Sequence, residues 1–201
     1  APDAQQVGRR RLRNLCLAYL NELPVAAYRE LARRQFASAD NMTDQFAALS
    51  VLANASGEEG NAALAAFYER WQNEALVVDK WLAVQSSSRL PGTLARVERL
   101  TAHPAFDLKN PNKVYALIRT FGANHRHFHA DDGAGYRFLA AQIATLDPIN
   151  PQVAARLARC FDRWKRFDEE HQRHAKAALE LLRQLPALSP DVFEVVDKAL
   201  G

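Results

Sequence analysis

The densest group of potential ligands in this 201-residue chain is His125-Arg126-His127-Phe128-His129, followed closely by Asp131 and Asp132. Imidazole and carboxylate are the donors a zinc site draws on, but such a site needs three or four of them converging on one point. A run placed in a loop before a glycine-containing helix start suits another task better: short acidic side chains there accept hydrogen bonds from free backbone N–H groups. His171 and His174 stand three apart and so share one face of a helix. No third ligand is evident, and Glu169, Glu170, Arg173 and Lys176 make that face read as a solvated one. No metal ligand is assigned to either group.

The chain holds no H-E-x-x-H, G-x-S-x-G, P-loop or G-x-G-x-x-G, the spacings that tie common chemistries to a backbone. Nothing selects one acid–base pair from its 23 acidic residues, so no catalytic residue is assigned. Arg9-Arg10-Arg11 with Arg13 is expected on the wet face of an amphipathic first helix whose other face carries Leu12, Leu15 and Cys16. A further polar set joins the turn Asn110-Pro111-Asn112-Lys113 to a helix opening with Asn150-Pro151-Gln152 and carrying Arg156. In an array of stacked helices, edge turns and the concave face line the partner surface, and an arginine there can hold a carboxylate through two parallel N–H bonds. The same residues also read as plain structure, with Asn110 and Asn150 as helix caps and Arg156 in an ordinary ion pair.

The elements that position these residues are helices. Apolar residues recur at helical spacing in Leu12, Leu15, Cys16, Tyr19, Leu20 and Leu23, then in Val114, Leu117, Ile118 and Phe121. The pattern returns in Val153, Leu157, Cys160, Phe161 and Trp164, and in Ala175, Ala178, Leu179, Leu182 and Leu185. No stretch alternates as a strand would. Asn110-Pro111, Asn150-Pro151 and Ser189-Pro190 each pair a capping side chain with a proline whose missing N–H costs nothing at a helix start. Ser56-Gly57-Glu58-Glu59 reads as a capping box. The fold class is therefore all-α, with about eleven helices starting near residues 3, 25, 41, 58, 74, 92, 111, 133, 149, 168 and 189. Helix pairs of about 35–40 residues approach the spacing of armadillo and HEAT-type repeats. Because one pair cannot hide its own apolar stripe, a superhelical array forming a single domain over residues 1–201 is expected. Residues 75–84 are apolar nearly all round and should be among the most buried, leaving Asp79 and Lys80 in need of partners or an exit to solvent.

Composition narrows the function classes. The charge is +3 from 26 basic and 23 acidic residues, and the pI is near 9.0, yet the signs are intermixed and nucleic acid is not indicated. No apolar run approaches the roughly 20 residues that span a bilayer, so no membrane partner is expected. Cys16 and Cys160 sit among apolar helical neighbours and read as reduced core thiols of a cytoplasmic protein. The opening residues carry neither an initiator Met nor a basic leader, and the chain is expected to be a fragment.

Several stretches, in order, resemble the C-terminal region of bacterial aminopeptidase N, also called alanyl aminopeptidase. They are Ala39-Asp-Asn-Met-Thr-Asp44 with Ala47-Ala-Leu-Ser50, Val78-Asp-Lys-Trp-Leu82 leading to Gln85, and Asn110-Pro-Asn112. Phe128-His-Ala-Asp-Asp-Gly133 with Gly135-Tyr136 and Phe138-Leu139 follows, then Asn150-Pro-Gln-Val153 with Arg156-Leu157. The likeness covers about residues 25–200. It implies an armadillo- or HEAT-like superhelix over the catalytic domain of the same polypeptide, helping enclose a chamber around zinc. The family removes N-terminal residues from peptides with zinc-activated water, through H-E-x-x-H, a downstream glutamate and G-x-M-E-N. None of these is in this chain, so it implies no cofactor here, zinc in the parent enzyme, and no activity for the chain alone. Arg156 matches a basic position facing the chamber and Lys113 lies in a matching polar turn, which makes both candidates for contacting peptide substrate. The alternative reading is a stand-alone helical-repeat module that binds protein or nucleic acid.

Overall fold

Several helices begin where a side-chain acceptor meets the free N–H groups of a first turn, while others, those opening at Ala26, Ala75, Thr93 and Ala134 among them, start without such a cap. In the computed structural model, which describes residues 3–55 and 57–201, Asp3 caps α1 (Ala4–Leu20) and Asn41 caps α3 (Met42–Leu52). Between them lies α2 (Ala26–Ser38), and α4 (Glu58–Trp71) follows from Gly57 at φ 112°. The capping box expected at 56–59 rests on Ser56, which lies outside the described residues. The chain then continues through α5 (Ala75–Ser86), α6 (Thr93–Thr101), α7 (Pro111–Val114), α8 (Thr120–Gly122) and α9 (His125–Phe128). After these come α10 (Ala134–Leu146), α11 (Pro151–Ala158), α12 (Glu169–Arg183) and α13 (Pro190–Leu200). Every expected start lies within two residues of an observed one, and no strand occurs among the described residues. Asn110, Asn150 and Ser189 accept from the N–H groups of Asn112, Val153 and Val192, with proline at the first position of α7, α11 and α13.

Contacts gather into two compact units, one ending at Asn73 and the other running from Glu74 to Gly201. In the first, α3 packs on α1 and α2, and Ala32, Ala48, Leu49, Leu52, Leu64 and Phe67 make the core. Here α1 departs from expectation. Leu12 and Leu15 are 63% and 54% exposed and Cys16 is also exposed, while Leu17 is buried and Asn14 half-buried. The cause is Asp44, almost wholly buried on α3, whose carboxylate takes hydrogen bonds from Arg13, Asn14 and Asn41. Supplying those donors turns the Arg13–Asn14–Leu17 face inward and the leucines outward. Cys16 is therefore not a core thiol; Cys160 is half-buried.

In the second unit, α5 buries Val78, Trp81, Leu82 and Val84 and leaves Leu76 exposed. It packs against a π turn, Tyr115–Arg119, that links α7 to α8 and buries Ala116, Leu117 and Ile118. Asp79 finds its partner in Lys113, while Lys80 is exposed. The α10 helix lies on α11 and α12, and α13 closes on both of those. Asp147, buried at the end of α10, accepts from the backbone N–H and hydroxyl of Ser189, tying the cap of α13 to the core.

Candidate functional site

Two local features build an arginine-lined face of the second unit. The first is the π turn, whose extra residue per turn rotates Tyr115 and Arg119 out of the register an α-helix would give them. The second is α11 and the two single-turn 3-10 segments after it, Arg159–Phe161 and Trp164–Arg166, which bury Leu157, Phe161 and Trp164 and leave their arginines outside. Arg156 Nη1 donates to the Tyr115 hydroxyl at 3.0 Å, and the Arg119 guanidinium carbon lies 5.8 Å from the Tyr115 ring centre. Between the two features runs a cleft of about 480 Å³ lined by Tyr115, Arg119, Gly122, Arg156, Arg159 and Cys160. A Cβ on Gly122 would stand 2.6 Å from Cys160 Sγ, so only glycine keeps this floor flat. Burial pushes the Cys160 thiol up to about 11, and the Arg119 charge offsets only part of that, so the sulfur stays protonated and unreactive.

The two residues singled out by sequence diverge. Arg156 is exposed and opens onto the cleft. Lys113 is 9% exposed, with its ammonium 2.8 Å from Asp79 Oδ1 and donating to the Ala75 carbonyl at 3.2 Å. Tyr115, Arg119, Arg159, Arg163 and Arg166 were not singled out by sequence. The signal that would have found most of them is the recurrence of arginine every three or four residues from Arg156 to Arg166.

The histidine-rich segment does not gather as ligands: among the described residues no three of His, Cys, Asp and Glu stand together in a way that could hold a metal ion. The run expected as a loop instead forms the single turn α9. The His129 ring stacks on Phe167 at 3.8 Å, and its Nδ1 lies 2.6 Å from the Tyr136 hydroxyl. Burial lowers His129 to about 4 and raises Tyr136 to about 12, so the phenol donates to a neutral imidazole. His171 is not the solvated residue its neighbours suggested. Nδ1 faces Asp168 at 2.8 Å and Nε2 faces the His129 carbonyl at 3.0 Å. Both partners are acceptors, an arrangement that favours the doubly protonated ring, and the hydrogen bond to Asp168 raises the His171 pKa.

These opposite shifts give a stability maximum. His129, depressed in the fold, contributes above its unfolded pKa of about 6.5, and that contribution is lost as pH falls toward 4. His171, raised in the fold, contributes below about 6.5 and loses its share as pH rises through its folded value. Thermal melts should peak near pH 6.5, and His129→Phe should flatten the acid limb alone; an unchanged acid limb would show that His129 does not govern it.

The chain matches, over residues 1–201, the family described as "Domain of unknown function (DUF3458_C) ARM repeats". It is 41% identical over 198 residues to aminopeptidase N of Haemophilus influenzae, covering 98% of this chain and 22% of that protein. To aminopeptidase N of Escherichia coli it is 39% identical over 200 residues, covering 99% of this chain and 23% of the relative. The crystal structure of Legionella pneumophila aminopeptidase A in complex with aspartic acid superposes with a TM-score of 0.93 at 37% identity, over 98% of this chain and 23% of that one. The chain thus spans under a quarter of the length of these relatives, and no helix among the described residues is long and apolar enough to cross a membrane. With its all-helical build and end-to-end match, the chain belongs to the DUF3458_C family of ARM repeats and corresponds to the C-terminal segment of aminopeptidase N homologues.

Proposed function

We propose that this chain is the non-catalytic C-terminal domain, one helical-repeat domain over residues 1–201, of a cytoplasmic zinc-dependent aminopeptidase. Its partner is the catalytic domain of the same polypeptide, which it caps so that access is restricted to small or unfolded peptides. Supporting this reading is one combination: similarity to aminopeptidases along essentially the whole chain, and no ligand set or catalytic spacing among the described residues that could perform the hydrolysis. No zinc-ligand set stands among the described residues, and the zinc chemistry is assigned to the catalytic domain. What a cap supplies is enclosure, which excludes bulk water and filters substrates by size. Arg156 offers a guanidinium to a peptide carboxylate from the open cleft. Lys113 would reach one only by exchanging it for the carboxylate of Asp79.

The test uses the full-length enzyme and the same enzyme ending before this chain. The chain alone, saturated with zinc, should hydrolyse no aminoacyl arylamide. Supplying it to the shortened enzyme should restore turnover of short peptides and slow attack on a folded substrate with a free N-terminus. Turnover by the purified chain, or equal treatment of short and folded substrates with and without it, would overturn the proposal.

A further inference from the structure

Arg156 is the first of four. Arg156, Arg159, Arg163 and Arg166 recur through α11 and the two 3-10 turns, and all are exposed. Arg159 lines two clefts at once: the one described above and a second of about 350 Å³ that adds Arg163, Arg166, His129 and Phe167. Gly122 and Cys160 are common to both walls, so with Arg119 five guanidinium groups border one groove. Asp162 is the carboxylate beside them.

Several arginines elsewhere find acid: Arg13 pairs with Asp44, Arg33 and Arg34 with Glu30, Arg173 with Glu170, and Arg183 with Asp197. Arg137, outside the groove, donates instead to the Asp132 carbonyl. Among the described residues none of the five groove arginines forms an ion pair. Like charges three and four residues apart repel one another, and Asp162, the carboxylate lining the groove, offsets only part of that repulsion. An anionic ligand would offset the rest. The planar fork of arginine matches a carboxylate in two parallel hydrogen bonds, and clefts of this size admit a few residues of extended chain. Single-stranded nucleic acid would need open aromatic faces to stack on. The rings on these walls are already engaged: Tyr115 by Arg119, Phe167 and His129 by each other, and His125 by His129 at 5.4 Å.

We propose that this groove is a carboxylate-binding site that takes an acidic peptide segment, through its aspartate and glutamate side chains or its C-terminal carboxylate. The identification of the ligand as peptide rests on the aminopeptidase reading; the groove itself rests on its geometry. The experiment measures binding by this chain rather than turnover. A failure here therefore leaves the capping role standing, and a failure of complementation leaves the groove standing.

Four fluorescein-labelled probes are titrated at low salt and followed by anisotropy. They are tetraglutamate with an amidated C-terminus, tetraglutamine with a free one, amidated tetraglutamine, and a thymidine tetranucleotide. One or both carboxylate probes should bind more tightly than amidated tetraglutamine, the pair reporting whether side chains or the terminus are read, and salt should weaken the binding. Arg159→Ala, Arg163→Ala and Arg166→Ala together should weaken it on the order of tenfold or more, since charge-assisted pairs are the strong ones. Arg137→Ala with Arg173→Ala, exposed arginines outside the groove, should leave it within about twofold. If the triple alanine variant melts early, the same three positions as lysine keep the charge and lose the fork, and should still weaken binding. Equal binding of amidated tetraglutamine, tighter binding of the tetranucleotide, an equal loss in the control variant, or full affinity in the lysine variant each overturns the assignment.

Discussion

Phe128→Ala should lower the unfolding free energy of the 74–201 unit by about 3–5 kcal/mol, the range for deleting a fully buried aromatic ring. Its ring is wholly buried and meets Tyr136, His129 and Phe161 edge-on, with centres 5.0, 4.8 and 5.5 Å away. The surroundings cannot close over the void. A Cβ on Gly135 would already stand 2.4 Å from the Phe128 carbonyl, so α9 rests directly on the backbone of α10 and has no closer approach to make. Asn124, just before α9, is held by the carbonyls of Ser86 and Ser88, and His129, just after it, by Tyr136 and His171. With both ends pinned the cavity persists, which places the cost in the upper part of the range. Urea denaturation followed by circular dichroism and tryptophan fluorescence measures it. A loss below about 1 kcal/mol would mean that α9 collapses inward after all.

Asp44→Ala should cost the 1–73 unit about 2–3 kcal/mol, because it strips several charged hydrogen bonds from a buried position at once. Asp44 gathers Arg13, Asn14 and Asn41, while Asn41 accepts in return from the Asp44 N–H and so caps α3. Gln35 completes the cluster, donating to Asn14 and to the Asp44 carbonyl. Burial works against the carboxylate charge, but the hydrogen bonds from Asn41, Arg13 and Asn14 outweigh it and hold the pKa below the usual carboxylate value. The contribution is therefore present above that usual value, about 4, and lost as pH falls through the lower folded one. Asp44→Asn should cost less at neutral pH and flatten the acid limb of this unit. Denaturant titrations at pH 7 and pH 3 separate the two effects: an Asp44→Asn protein as acid-sensitive as the parent would remove Asp44 from the account.

Sequence alone determined where helices start. Asn110, Asn150 and Ser189 with their following prolines act over one turn of chain, so their consequences are contained within the few residues that carry them. The helical recurrence of Val153, Leu157 and Phe161, or of Ala175, Ala178, Leu179 and Leu182, likewise names a buried stripe without reference to anything else, and those residues are buried, whereas Leu185, expected on the second stripe, is exposed. The aminopeptidase likeness was legible for a related reason, since short motifs kept their order along the chain.

What only the tertiary structure decided is which partner each face meets. The apolar stripe of α1 faces outward because buried Asp44, thirty residues away, requires Arg13 and Asn14. Lys113 turns into α5 because Asp79 waits there, and His171 leaves the solvent because the His129 carbonyl needs a donor. The groove combines Arg119 from a π turn with arginines from α11 and its trailing turns, and no periodicity within one segment reports that meeting. A cap satisfies its own neighbours, whereas burial and charge depend on what the fold brings from a distance, and that information is spread over residues far apart in the chain.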